Sequence, residues 1–171
     1  MERSDHGVGS TEPLNGVGST EPPNGVGAGF AGAEAQPSPL ELAARALRHR
    51  DRSRHELEER LARAGVDEDA RADALETLER VGYVDDARFA EARARALADR
   101  GYGDKWIRHE LRRHGVAGET AEAAIAALTP EGERAAAVVA RFGPGAKTAA
   151  RLARKGFGED AVEAAVGAAG G

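Results

Sequence analysis

Cysteine is absent from this 171-residue chain. That excludes a disulfide framework, a thiol nucleophile and any cysteine-based metal site, and it fits a reducing compartment. Aromatic residues are nearly as scarce, with one Trp, two Tyr and four Phe, so a core has to come from aliphatic side chains and alanine. No run of 18 apolar residues is available for a membrane span. The polar start, Met1 to Ser10, lacks the apolar stretch of a secretory signal. No membrane contact is therefore expected. Nor does one sign of charge dominate: 24 Lys and Arg stand against 29 Asp and Glu, a net of −5, which is not the balance of a strongly basic nucleic-acid binder.

What is present divides the chain at about residue 38. Residues 1–38 hold a nine-residue repeat, Gly7-Val8-Gly9-Ser10-Thr11-Glu12-Pro13-Leu14-Asn15, then Gly16 to Asn24 in the same pattern, then Gly25-Val26-Gly27. Such a segment has too little apolar surface to offset its ordering entropy and reads as a disordered tail. It carries a charge of −4, nearly all of the net charge of the chain.

From Pro39 onward the composition turns to Ala, Arg, Glu and Leu, and apolar residues recur at three- and four-residue spacing, as in Leu57, Leu61 and Ala64. Ser53 followed by Glu56 forms a capping-box pattern, and Pro39 after Ser38 suits a first helical turn. Gly65, Gly115 and Gly156 each end a helical run, where a left-handed residue is wanted. Each glycine has Leu61, Leu111 or Leu152 four positions before it and Val66, Val116 or Phe157 one position after. This is an internal repeat: a helix, a glycine turn, and a second helix packing back on the first. A further helix precedes each pair, over Leu40 to His49, Asp86 to Asp99 and Glu131 to Phe142. The expected fold is all-α, with three tandem three-helix modules over 39–84, 85–130 and 131–171, stacked on one another because each is too small to bury a full core alone. The third module, whose last helix offers only Val162 and Val166 as large apolar groups, is expected to be the weakest.

Charge alternates along this part of the chain. Residues 67–86 carry −6 and 116–133 carry −4, whereas 87–115 carry +4 and 134–158 carry +6 with no acid at all. Helix dipoles and exposed ion pairs explain part of this. They do not explain Lys105, Arg108 and Arg112 on one helical stripe, with Arg113 beside them, or Lys147, Arg151 and Arg154 on another, with Lys155 beside them. Two successive modules thus present a basic stripe on the corresponding helix. Aligned stripes would suit a long anionic partner, a nucleic acid backbone or a protein filament.

Catalytic constellations are missing. Gly143-Pro144-Gly145-Ala146-Lys147-Thr148 ends like a phosphate-binding loop but lacks the upstream glycine and follows a helix. His109 and His114 are five apart and read as surface residues, so neither metal nor cofactor is expected. Asp85-Asp86 reads as a helix cap, and Trp106 as a core residue packed against the first helix of its module.

The string Gly82-Tyr83-Val84-Asp85-Asp86-Ala87-Arg88-Phe89-Ala90, preceded by Arg52-Ser53-Arg54-His55-Glu56-Leu57 and followed by Gly101-Tyr102-Gly103, Glu110-Leu111 and Gly115-Val116, resembles the RecX family of bacterial regulatory proteins. Leu152, Lys155-Gly156-Phe157, Val162 and Val166 fit the last repeat of that family. The resemblance covers about residues 40–168. It implies a curved, elongated array of three-helix repeats, a cytoplasmic monomer without catalytic activity, that lies in the helical groove of the RecA recombinase filament. It further implies inhibition of strand exchange, ATP hydrolysis and the co-protease activity behind the SOS response, with weak DNA binding in some members. Lys105, Arg108, Arg112, Arg113, Lys147, Arg151, Arg154 and Lys155 are the expected partner-binding residues. Tyr83 and Phe89, flanking the turn between the first two modules, are expected to serve the fold. The alternative is a sequence-independent DNA-binding protein built from helix-turn-helix-like units.

Overall fold

The structure, a computed structural model, describes residues 37–168. The glycine-rich repeats and the disorder expected of them lie outside the described residues, as do 169–171. The described residues form nine helices and no strand: α1 (Pro39–Leu47), α2 (Arg54–Arg63), α3 (Glu68–Arg80), α4 (Asp86–Asp99), α5 (Asp104–Arg113), α6 (Gly118–Ala126), α7 (Glu131–Phe142), α8 (Ala146–Arg154) and α9 (Glu159–Ala168).

The starts and stops follow from local chemistry. Ser38 and Ser53 each accept the N–H three residues on, from Glu41 and Glu56, whose carboxylates return to the serine N–H in full capping boxes. At the other end of α2, α5 and α8 the same turn is made three times. Val66, Val116 and Phe157 donate to Leu61, Leu111 and Leu152, while Gly65, Gly115 and Gly156 donate to Ala62, Arg112 and Ala153. These paired bonds satisfy the last helical carbonyls and need a left-handed glycine, which φ values of 79°, 73° and 81° supply.

Each consecutive trio of helices encloses its own core. The first is centred on Leu57, Leu61, Leu75 and Leu78, the second on Phe89, Leu97, Ile107, Leu111 and Ile125, and the third on Val139, Leu152 and Phe157. Buried alanines (Ala43, Ala90, Ala94, Ala135) let helix backbones approach where large side chains are few. The third core has the fewest buried members. Val162 and Val166 only partly cover it, and Ala165 is the buried residue of α9. Leu111, with no exposed surface, lies at the centre of the largest core. Leu111→Ala is expected to cost about 3 kcal/mol, read as a lower urea midpoint at unchanged slope.

The expectations about aromatic residues hold in part: Tyr83 serves the turn through its backbone alone, and the core placement of Trp106 fails. Tyr83 is 66% exposed; its backbone N–H closes the turn on Leu78 while its ring faces solvent. Phe89 does serve the core, edge-on to His114. Trp106 is 41% exposed and stacks on Tyr102, centroids 5.4 Å apart. Ile107 and Leu111 already fill the inner face of α5, which leaves the indole on the outer face.

Successive trios join by one recurring device. The first residue of α4, Asp86, accepts the N–H of Arg54, the first residue of α2, at 2.8 Å. The first residue of α7, Glu131, accepts the N–H of Asp104, the first residue of α5, at 2.6 Å, and its second oxygen takes the Gly158 N–H. A carboxylate at the start of one trio therefore caps the middle helix of the trio before it. Asp85 caps its own helix, so the two acids of the Asp-Asp pair cap different helices.

Candidate partner-binding surface

The same junctions bring the middle helices end to end. Gly103 and Lys105 donate to the carbonyls of Lys155 and Gly156 at 2.9 and 3.0 Å, so the last turn of α8 abuts the first turn of α5 and each satisfies the other's orphan backbone groups. Ser53 Oγ donates to the His114 carbonyl at 2.6 Å, and His55 packs on Gly115, so α5 meets α2 in the corresponding way. Residues at the end of α8 and the start of α5 consequently share a surface. Arg151, Arg154 and Lys155 line one shallow depression with Tyr102 and Trp106, and Lys155 Nζ stands 3.7 Å above the Tyr102 ring.

The eight expected cations divide into two groups. Among the described residues, Lys105, Arg112, Lys147, Arg151, Arg154 and Lys155 form no ion pair. Arg108 and Arg113 depart from the expectation. Arg108 reaches from α5 to the Glu122 carboxylate on α6 through two nitrogens. That hydrogen bonding raises the Arg108 pKa and holds Glu122 below the usual carboxylate range. Arg113 lies 3.6 Å from Glu110. Both stem from position: Arg108 leans toward the cleft between α5 and α6, and Arg113 leans toward a carboxylate one turn back. On α2 the pattern is different: Arg54 meets Glu58 and Glu79, Arg63 meets Glu59, and Arg60 is the one basic residue of that helix outside an ion pair among the described residues.

The spacing of cations alone does not single out Arg100 and Arg141. Arg100 lies over Tyr102 and Arg141 over Phe142, which also carries Arg151 at 4.3 Å. The available signal was an arginine next to, or two residues from, each lone aromatic. His114 is also misjudged as a surface residue. Its side chain is largely covered between Glu56 of α2 and Glu110 of its own helix, 3.5 and 3.3 Å away.

Glu110 is the most buried carboxylate of this region. Burial pushes its pKa up, but hydrogen bonding from Arg93 and the charge of Arg113 outweigh it, and the net direction is down. A depressed carboxylate contributes stability above its unfolded pKa, and that contribution is lost as pH falls through the folded value. Glu110→Gln is expected to cost about 2 kcal/mol at pH 7. The gap to the native protein should narrow below about pH 4, as followed by denaturant unfolding at several pH values. Asp104 goes the other way: burial and the Glu131 carboxylate raise its pKa against the pull of Arg134.

Among the described residues no group of three or more His, Asp or Glu is placed to hold a metal ion, and no helix is long and apolar enough to cross a membrane. Thr148, at the end of the loop-like Gly143–Thr148 stretch, donates its hydroxyl to the Gly143 carbonyl.

Fold and surface together define an all-helical protein of tandem three-helix units, with open cations along α5 and α8, the middle helices of the second and third units. Comparison with known proteins gives the family. The model described as RecX, first three-helix domain, matches residues 40–78, and that described as RecX, second three-helix domain, matches 85–125. The Regulatory protein RecX of Xanthomonas axonopodis pv. citri is 36% identical over 140 residues, covering 76% of this chain and 86% of the relative. That of Halorhodospira halophila is 36% identical over 149 residues, covering 81% and 92%. The crystal structure of RecX from Lactobacillus salivarius superposes with a TM-score of 0.68 at 21% identity, over 77% of this chain and 94% of that one. The chain belongs to the RecX family of regulatory proteins.

Proposed function

We propose that this protein regulates the RecA recombinase by binding along its filament on DNA, seated in the helical groove, as a cytoplasmic monomer without catalytic chemistry of its own. Bound there it inhibits strand exchange, ATP hydrolysis and the co-protease activity that drives the SOS response. The observation that carries the reading is the end-to-end arrangement of α8 and α5 with Lys105, Arg112, Lys147, Arg151, Arg154 and Lys155 outside any ion pair among the described residues. A periodic groove meets such a surface at several protomers at once, and modest contacts then reinforce one another through effective concentration. The test is RecA ATP hydrolysis on single-stranded DNA titrated with the full chain: turnover falls as the protein is added, and unaltered turnover at saturating protein removes the proposal.

A second reading, sequence-independent DNA binding, has one observation in its favour. Tyr102 stacked on Trp106 beside Lys155 and Arg154 combines an aromatic platform with cations, as single-strand binders do. If DNA is the main partner, binding to an oligonucleotide without RecA is tight, and its logarithm falls with the logarithm of salt at a slope of about −0.7 per phosphate contact. The expected result under the RecA reading is weak DNA binding that is already lost at moderate salt.

A further inference from the structure

Between the end of α4 and the helices α7 and α8 lies a cleft of about 450 Å³. Five cations line it, Arg100, Arg134, Arg141, Arg151 and Lys155, against one acid, Asp99. Arg134 is committed to Asp104 and to the carbonyls of Tyr102 and Thr129. Arg100, Arg141 and Arg151 have no carboxylate partner among the described residues. The lower wall is apolar, made by Leu152, Phe157 and Val138.

We infer that this cleft is a receptor for a short acidic segment of a protein partner, one in which carboxylates flank an aliphatic side chain. Three features select that chemistry. Arg141 and Arg151 both lie over the Phe142 ring, so their guanidinium planes are held and their N–H edges are left to fork onto a carboxylate. Two cations already lie over that ring, which leaves less of it as a stacking surface for a base. Finally, a phosphodiester chain needs an open track, whereas this is a recess with an apolar wall that would be wasted on a phosphate and suits a Leu- or Val-sized side chain. The cleft joins the second and third trios, so its occupant also braces that junction. The inference deepens the proposed function by naming the chemistry offered by the protein partner, and it takes only the partner's identity from that reading.

The experiment contains no RecA, so its outcome is separate from that of the proposed function. Fluorescein-labelled probe peptide made of Glu-Glu-Leu-Glu-Glu repeats, and a labelled oligo(dT) of equal length, are titrated by anisotropy with the full chain. The comparison is with an Arg100→Ala/Arg141→Ala variant and an Arg60→Ala/Arg95→Ala variant, whose cations are exposed and outside the lining of the cleft. The expected result is a loss of peptide affinity of about tenfold or more in the first variant, less than twofold in the second, and no comparable loss of oligo(dT) binding in the first. Arg141→Glu alone, an exposed change, moves peptide binding the same way. Peptide binding that ignores Arg100 and Arg141, or oligo(dT) binding that falls as much as peptide binding, overturns the assignment.

Discussion

Reversing Lys105, Arg112, Arg151 and Arg154 to Glu is expected to raise the concentration needed for half-inhibition of RecA ATP hydrolysis by about 100-fold or more, with helicity and melting temperature unchanged. Each exposed charge contributes on the order of 0.5–1 kcal/mol to an interface, and reversal adds repulsion of like sign. Four such changes amount to about 3–4 kcal/mol, and each 1.4 kcal/mol is a factor of ten. These four are chosen because none is paired among the described residues. Arg108 is the contrasting control. Its guanidinium already holds Glu122, so Arg108→Ala should lower stability slightly and inhibition less than any member of the quartet. Undiminished inhibition by the fourfold variant would detach the proposed function from this surface.

The division between what was legible in the sequence and what was not follows the range of the interactions. Gly65, Gly115 and Gly156 announce their turns because the left-handed residue, the leucine four back and the apolar residue one ahead all lie within six positions. The ends of α4 and α7 are equally local, set by Asp85 at one start and by Pro130 and Gly143 around the other helix. Trp106, Arg108 and His114 could not be placed this way, because part of their surroundings comes from another helix or another trio: Gly156 beside Trp106, Glu122 beside Arg108, Glu56 beside His114. Helical period separates an inner from an outer face and does not say what the outer face meets. The junction carboxylates lie between these cases. Asp86 and Glu131 hold the same register, the first position of the first helix, where the first trio has Pro39. For Asp86 the sequence reads as capping, whereas Glu131 reads only as a helix start. The helix being capped, α2 or α5, was not legible.

The sharpest test of the array as a unit is Gly103→Val. Gly103 has φ −86° and ψ 172°, an extended conformation that any residue adopts, so the substitution does not strain its own backbone. The obstacle is the neighbour: a Cβ there would run into the Gly156 carbonyl and the Phe157 nitrogen. The change should therefore part α8 from α5 and break the Gly103–Lys155 and Lys105–Gly156 bonds, while the Leu111 core remains closed. In amide exchange, Lys105 is expected to lose protection, whereas Val116, bonded to Leu111 within its own turn, keeps it. With the two basic segments no longer held in register, the multivalent gain disappears, and inhibition of RecA should weaken by about 100-fold. Gly118→Ala, at a position with open space around it, should change neither measurement. If Gly103→Val opens the junction and inhibition persists at full strength, α5 and α8 act independently and the continuous surface has no role.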